Sequence, residues 1–222
     1  MLNVVIGIVF FIIVVYFLSW LFSNNTTLSD YEDATTAVVI PATSITNPSS
    51  VNYSFSIWIY ISDWAVNYNK PKVIFARDGR KPLLQLGATE NTLTTSITLN
   101  NASTATCQVP NIPIQKWTNI IVTVNNKALD TYVNGKLVKT CVLEQVPMVP
   151  TAENAAVSLT PGGGFSGFTS RFKYWSESIN PQEAYNVYKW GPGGNWLTNF
   201  FGMYKLQLSF LKGNETKASI TI

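Results

Sequence analysis

The chain has 222 residues, of which 46% are hydrophobic and 12% are charged, and its formal net charge is only +3. Cations this few and this scattered cannot neutralise a phosphate backbone, so the composition excludes nucleic acid as a partner. The sequence also contains no histidine, which excludes Ser-His-Asp and Cys-His catalysis and histidine-ligated zinc.

The first 22 residues form an apolar segment without a charged side chain, in which only Asn3 and Ser19 are clearly polar. About 20 residues of helix span the roughly 30 Å hydrocarbon core of a bilayer. Tyr16 and Trp20 lie near the end of the segment, where amphipathic rings favour the level of the lipid headgroups. We therefore expect residues 1–22 to be a transmembrane helix held in a lipid bilayer, in preference to a cleaved signal peptide or a buried core helix.

Residues 23–33 (SNNTTLSDYED) are polar, and we expect them to be a juxtamembrane linker. Beyond them the chain is rich in Thr, Asn, Ser, Val and Ile, a composition typical of strands. Residues 53–61 alternate between apolar and more polar positions, which indicates a half-buried strand, and Asn134-Gly135 is a strong hairpin signal. Further strands are expected at 36–40, 72–76, 82–86, 93–99, around Cys107, and at 117–124, 129–133, 136–142, 155–159 and 167–175, with a turn at 77–80.

One helix is expected in this part of the chain, at residues 181–189. Asn180 is a suitable N-cap, Pro181 is favoured at the first helical position, and Glu183 lies in the first turn. Gly191 follows the segment and favours its termination. Strands that follow one another without intervening helices predict an antiparallel two-sheet sandwich and argue against parallel βαβ units.

Several segments together resemble a known family: 54–60 (SFSIWIY), 117–124 (WTNIIVTV), 129–136 (LDTYVNGK), 167–175 and 180–184. They look like the concanavalin A-like (laminin G or pentraxin-like) jelly roll, and the likeness covers residues 34–190. The resemblance implies an all-β antiparallel jelly-roll sandwich preceded by the transmembrane α-helix. It leaves the function open, because this fold hosts lectins, glycosidases, adhesion modules and scaffolds.

The layout as a whole is similar to membrane-anchored virion proteins, the minor capsid proteins of large DNA viruses of algae and amoebae. The likeness rests on an uncharged N-terminal segment, one such domain, and the tail that begins at Gly191-Pro192-Gly193-Gly194. It implies a non-enzymatic structural protein that links an internal membrane to neighbouring shell proteins, at the interface between that membrane and the capsid.

Glycoside hydrolysis needs two carboxylates that flank one bond. The acidic residues are scattered along this chain, and the one tight group, Asp30, Glu32 and Asp33, lies in the expected linker. We therefore expect no catalytic residue and no enzyme activity.

Calcium is the one metal that the sequence leaves open, because related domains hold it with carboxylate, amide and carbonyl oxygens. Isolated Asp and Asn residues in turns more often close the turn, so no ligand set is assigned and no cofactor is expected. The residues with suitable oxygens are Asp63, Asp78, Asp130, Asn125, Asn126 and Asn134.

Cys107 and Cys141 are the only cysteines, and a disulfide between them is favoured over two free buried thiols. The glycine runs at 162–164 and 191–194 lack the following helix with Lys and Ser or Thr that a phosphate-binding loop requires. We therefore expect both runs to be turns.

The tail, residues 191–222, carries more apolar side chains than a free end would expose to water. It either returns as a strand that pairs with the edge of the sandwich, or docks on a neighbouring protein or the membrane interface. The residues expected to dock in the second case are Trp196, Phe200, Phe201, Tyr204, Lys205 and Phe210.

Two functions from different classes therefore remain. The first is the structural protein described above, and the alternative is a membrane-tethered carbohydrate-binding or adhesion module in which exposed rings stack on glycans. The tryptophans cannot decide between them, because Trp58, Trp117 and Trp175 lie at strand positions, where packing in the core is the default.

Overall fold

The computed structural model describes residues 10–15, 17, 26–78, 81–193, 207–212 and 215–221. Its strands are β1 (Thr27–Ser29), β2 (Glu32–Asp33), β3 (Val38–Ile40), β4 (Tyr53–Ile61), β5 (Lys72–Arg77), β6 (Leu83–Leu86), β7 (Leu93–Thr98), β8 (Thr104–Val109), β9 (Thr118–Asn125), β10 (Ala128–Val133), β11 (Lys136–Val142), β12 (Val157–Leu159), β13 (Gly167–Trp175), β14 (Gln207–Lys212) and β15 (Glu215–Thr221). One α-helix, α1 (Pro181–Lys189), follows β13, and short 3-10 turns lie at Ala42–Ser44, Ala152–Asn154 and Pro161–Gly163.

Two antiparallel sheets form a sandwich. A seven-stranded sheet has the order β1-β13-β4-β9-β10-β11, with β2 also paired to β13, and a six-stranded sheet has the order β3-β12-β5-β6-β7-β8. The apolar side chains that face each other between the two sheets form one continuous core. The predicted all-β antiparallel sandwich is confirmed.

Strand β4 has the predicted bounds and the predicted alternation. Its odd-numbered side chains, from Tyr53 to Ile61, lie in the core between the sheets. The other face of the strand is buried as well at Ser54, Ser56 and Trp58, because α1 packs across it. A strand covered on both faces is thus buried along almost its whole length.

Helix α1 also has its predicted bounds, and its first turn is closed by a reciprocal pair of hydrogen bonds. The Asn180 side chain accepts from the Glu183 N–H at 2.9 Å, and the Glu183 side chain accepts from the Asn180 N–H at 2.8 Å. These bonds satisfy donors that a helix start otherwise leaves free. The helix buries Ala184 against a second apolar cluster on the outer face of the seven-stranded sheet, with Ile121 and Tyr132.

A disulfide joins Cys107 on β8 to Cys141 on β11, with the sulfur atoms 2.03 Å apart. Strands β8 and β11 are the last strands of their respective sheets. The bridge therefore fastens the two sheets together along one side of the sandwich.

The segment expected to be a linker differs from expectation. Residues 27–29 and 32–33, expected in the linker, pair with β13 as β1 and β2, because β13 would otherwise expose a row of unpaired backbone groups. Among the described residues no helix is long and apolar enough to cross a membrane. Most of the segment 1–22 lies outside the described residues, so the anchor stays a prediction.

The tail forms strands β14 and β15, which pair with each other as a separate two-stranded sheet. Phe210 lies on β14, whereas Trp196, Phe200, Phe201, Tyr204 and Lys205 lie outside the described residues. Docking by the tail therefore stays a prediction.

Candidate functional site

Four aromatic side chains lie together on the outer face of the seven-stranded sheet, beyond the end of α1. Tyr60 on β4 is paired with Phe168 on β13, and residues paired in this way point to the same side of a sheet. Trp117 directly precedes β9, and Tyr31 lies between β1 and β2. We call these four residues the aromatic face.

The rings of the aromatic face form a closed set of contacts. The Tyr31 ring is stacked on Phe168 with centroids 5.2 Å apart, and lies 6.2 Å from Trp117. The Tyr60 ring lies 5.7 Å from Trp117 and 6.4 Å from Phe168. Tyr31 is 58% exposed and the other three are half-buried. The four rings thus present one contiguous apolar surface to solvent.

Trp58 lies on the same face of the sheet as Tyr60, at a position that α1 covers. Its ring is 4% exposed and stacks under Tyr188 of α1 at a centroid distance of 5.6 Å. Core packing, the default expectation for the strand tryptophans, therefore holds for Trp58. Trp117 and Trp175 are half-buried and keep part of the indole at the surface.

Two polar residues, Asp33 and Gln115, lie near members of the aromatic face, through strand pairing or in the sequence. Asp33 is paired with Phe168, and its Oδ1 accepts from the Thr35 N–H at 2.8 Å and the Thr35 hydroxyl at 2.6 Å. These two bonds lower the pKa of the Asp33 carboxyl, which is therefore ionised at neutral pH. Gln115 is exposed and donates from Nε2 to Ser62 O at 3.3 Å.

The loop after β4 is held by a buried ammonium group. Lys72 Nζ donates to the carbonyl oxygens of Asn67, Lys70 and Ala88 at 3.1, 3.4 and 3.0 Å. It also lies 4.7 Å from the centre of the Trp64 ring. Charged donors make stronger hydrogen bonds than neutral ones, so Lys72 fixes this loop to the turn that follows β6.

The same loop is tied to the turn that leads into β13. Asn67 Nδ2 donates to the carbonyl oxygens of Gly162 and Gly164, at 3.0 Å in both cases. The Ser166 hydroxyl donates to Asp63 Oδ2, also at 3.0 Å. The loops around the aromatic face are therefore fixed by bonds within the domain, and its rings are held ready for a ligand.

The residues considered for calcium are spread over the domain and engaged separately. Asp78 pairs with Lys81 at 3.0 Å, and Asp130 accepts from the Thr140 hydroxyl at 2.6 Å. Asp63 Oδ1 accepts from the Ala65 N–H at 2.8 Å, as a turn residue does. Of the three amides, Asn125 ends β9, whereas Asn126 and Asn134 lie in the turns that follow β9 and β10. No group of three His, Cys, Asp or Glu side chains able to hold a metal occurs within the described part of the chain.

A shallow cleft of about 270 Å³ lies along the other end of β13. It is lined by Thr26, Leu28, Ser44, Thr46, Tyr174, Trp175, Ser176 and Glu177. Hydroxyl groups dominate its polar lining, and it is separate from the aromatic face, which lies at the start of the same strand.

The sequence predicts neither the aromatic face nor the cleft along β13. Tyr31 was expected in a solvated linker, and Trp117 was expected in the core. The available signal was the alternation of β4, which puts Tyr60 on the side opposite to the core residues.

Known structures with a similar fold include receptor-binding domains of botulinum neurotoxins. The ligand binding domain of botulinum neurotoxin serotype D, solved in complex with N-acetylneuraminic acid, shares 15% identity at a TM-score of 0.59, over 75% of this chain and 43% of that one. The binding domain of botulinum neurotoxin DC in complex with rat synaptotagmin II shares 16% identity at a TM-score of 0.52, over 69% and 39% of the two chains. This chain thus spans less than half the length of these neighbours, and at such identity the likeness concerns the fold alone.

At the level of sequence, no curated protein matches the chain. The family model of the concanavalin A-like lectin/glucanases superfamily, in contrast, matches residues 32–184. This match covers well over half of the chain and includes both sheets of the sandwich from β2 to β13. The protein therefore belongs to the concanavalin A-like lectin/glucanases superfamily.

Proposed function

We propose that the domain is a carbohydrate-binding, lectin-like module that binds the ring of a glycan on the aromatic face. The observation that carries the proposal is the contiguous, exposed ring surface formed by Tyr31, Tyr60, Trp117 and Phe168. Contiguous apolar surfaces of this kind on a folded domain mark sites of interaction.

The chemistry of the surface suits a sugar. A pyranose ring has an apolar face of C–H groups, which can lie flat on an aromatic ring, and a rim of hydroxyl groups, which need hydrogen-bonding partners. The ionised Asp33 carboxylate accepts such bonds, and the exposed Gln115 amide both donates and accepts them. Because the surface is open, a single sugar buries little area, and we expect Kd values near 1 mM, or about −4 kcal/mol.

The relatives support the proposal at the level of the family. The superfamily is named for lectins and glucanases, and one fold neighbour was solved with N-acetylneuraminic acid. Another was solved with a protein receptor, synaptotagmin II, so a protein ligand is the main competitor for this surface.

The location of the module is part of the proposal. We infer that the apolar N-terminal segment tethers the domain to a membrane, as its length and hydropathy predict. The structural role in a virion stays a prediction, and no contact of the described residues favours it over glycan binding.

A glycan array probed with the full-length chain in detergent tests the proposal. Tyr31→Ala and Trp117→Ala should each lower binding to the same glycans by at least tenfold. Tyr185→Ala is the matched control, because Tyr185 is 45% exposed, lies on α1 and belongs to none of the ring pairs of the aromatic face. Glycan binding that survives both substitutions, or no binding to any glycan, would overturn the proposal.

A further inference from the structure

Arg77, at the end of β5, is a fully buried cation in the core of the sandwich. Its side chain is 0% exposed, although the sequence predicts a turn at 77–80. The centre of its guanidinium lies 5.5 Å from the Tyr53 ring, 5.7 Å from the Phe55 ring and 5.4 Å from the Tyr174 ring. Those rings belong to the seven-stranded sheet, so Arg77 reaches across the core from the six-stranded one.

Most of the guanidinium has no hydrogen-bonding partner. Its Nη2 donates to Pro48 O, whereas Nε and Nη1, and also the nearby Tyr53 hydroxyl, are buried without a partner. The neighbouring carboxylate of Asp78 pairs with Lys81 at 3.0 Å. Among the described residues, therefore, no carboxylate forms an ion pair with Arg77.

A buried guanidinium with these contacts has fewer hydrogen-bonding and ion-pair partners than a buried charge normally has. Arginine keeps its charge inside proteins, and a buried charge is normally both paired and hydrogen-bonded. The three rings offer cation–π attraction, but a ring provides no acceptor for the free N–H groups. An anionic acceptor would satisfy these N–H groups and balance the charge at the same time.

The cleft along β13 adjoins this guanidinium. Tyr174 lines the cleft, and its ring lies against Arg77. The Tyr174 hydroxyl donates to Asn47 O at 3.2 Å, one residue before the carbonyl that binds Arg77. Ser44 and Thr46 complete that wall of the cleft. Segment 44–48 therefore lines the cleft on one side and caps the guanidinium on the other.

We infer that this cleft binds a small polyhydroxylated carboxylic acid, whose carboxylate pairs with Arg77 when segment 44–48 shifts aside. The carboxylate supplies the acceptors that Nε and Nη1 lack, while the hydroxyl groups of Thr26, Ser44 and Ser176 bond to those of the ligand. A sugar acid has both kinds of group.

One group in the cleft opposes this ligand. Glu177 lines the cleft and repels an anion, but it is exposed, so its field is screened by solvent and salt. Arg77 is shielded from solvent, and its attraction is screened much less. The balance therefore favours an anion, and removing the Glu177 charge should strengthen the interaction.

The test is thermal unfolding and tryptophan fluorescence of the full-length chain in detergent, titrated with sodium glucuronate. Glucose at the same concentration is the neutral control, and sodium chloride holds the ionic strength constant. Glucuronate should raise the unfolding midpoint and change the emission of Trp175, and glucose should do neither. Arg77→Met should weaken glucuronate binding at least tenfold, and Glu177→Gln should tighten it.

Equal effects of glucuronate and glucose, or of glucuronate and chloride, would overturn the assignment. So would the absence of any effect, which would mean that buried water alone satisfies the guanidinium. If Arg77→Met does not fold, the Nε–H resonance of Arg77 in the unaltered chain decides instead, because it must shift with glucuronate. Trp117→Ala separates the two proposals, since it should lower glycan binding on the aromatic face at least tenfold and leave the glucuronate effect intact.

Discussion

Removing the disulfide should lower the stability of the domain without altering its candidate binding surface. The bridge joins cysteines 34 positions apart, and a constraint of that length on the unfolded chain stabilises the folded state by about 4 kcal/mol. Cys107 is buried and Cys141 packs against the core, so replacing both by alanine also removes some apolar contact, worth about 1 kcal/mol. We expect Cys107→Ala/Cys141→Ala to lower the free energy of unfolding by about 4 to 5 kcal/mol.

Equilibrium unfolding in urea, followed by tryptophan fluorescence with and without dithiothreitol, measures this loss. The reduced natural chain should match the double variant to within about 1 kcal/mol, because both lack the cross-link. The m-value, the dependence of the free energy of unfolding on urea concentration, should be larger in both. A chain without the bridge exposes more surface when it unfolds.

The matched control keeps the bridge and alters the neighbouring positions on the same strands. Thr106→Ala/Val142→Ala should change stability by less than about 1 kcal/mol, because both side chains are exposed. A loss below about 1 kcal/mol for the cysteine variant, with an unchanged m-value, would refute the reasoning. Glycan binding should survive in every variant, since β11 lies at the opposite edge of the sheet from β1 and β2.

Four further substitutions concern the turns and the strand ends beside them. Gly135→Ala should destabilise by about 2 to 4 kcal/mol in urea, because Gly135 has φ +73° and a new Cβ would lie 2.9 Å from a helix side chain. Gly162→Ala, with φ +70° and open space around it, should cost only about 1 kcal/mol. Lys72→Met should cost about 3 kcal/mol, because three carbonyl oxygens lose a charged donor, and equal stability to the natural chain would contradict this. Thr35→Ala should raise the pKa of Asp33 toward its ordinary value in an NMR titration, so the carboxylate would be protonated at a higher pH; an unchanged titration would contradict the assignment.

Much of the sandwich could be predicted because its signals are local. Strand β4 alternates along nine residues, and the Asn134-Gly135 turn has positive φ at both positions, as its sequence predicts. Helix α1 begins and ends where its capping residues place it. The residues that specify each of these elements lie within the element or directly beside it.

The unpredicted elements depend on distant parts of the chain. Strands β1 and β2 are short and polar, and only the free edge of β13 makes them strands. Arg77 lies next to Asp78 and Gly79 in the sequence, which favours a turn, yet aromatic residues from two strands of the other sheet enclose it. Burial of this kind is decided by the packing of one sheet on the other, which no local pattern encodes.

Helix α1 is shorter than strand β4, and this difference in length decides where the aromatic face lies. Helix α1 has nine residues and is about 13 Å long, whereas the nine residues of β4 extend about 30 Å. A helix of this length covers less than half of the strand, and Gly191, with φ +71°, ends it over the middle of the sheet. Trp58 is therefore buried, whereas Tyr60, two residues further along the same face, stays at the surface. The residues that stop the helix thus decide which rings remain available to a ligand.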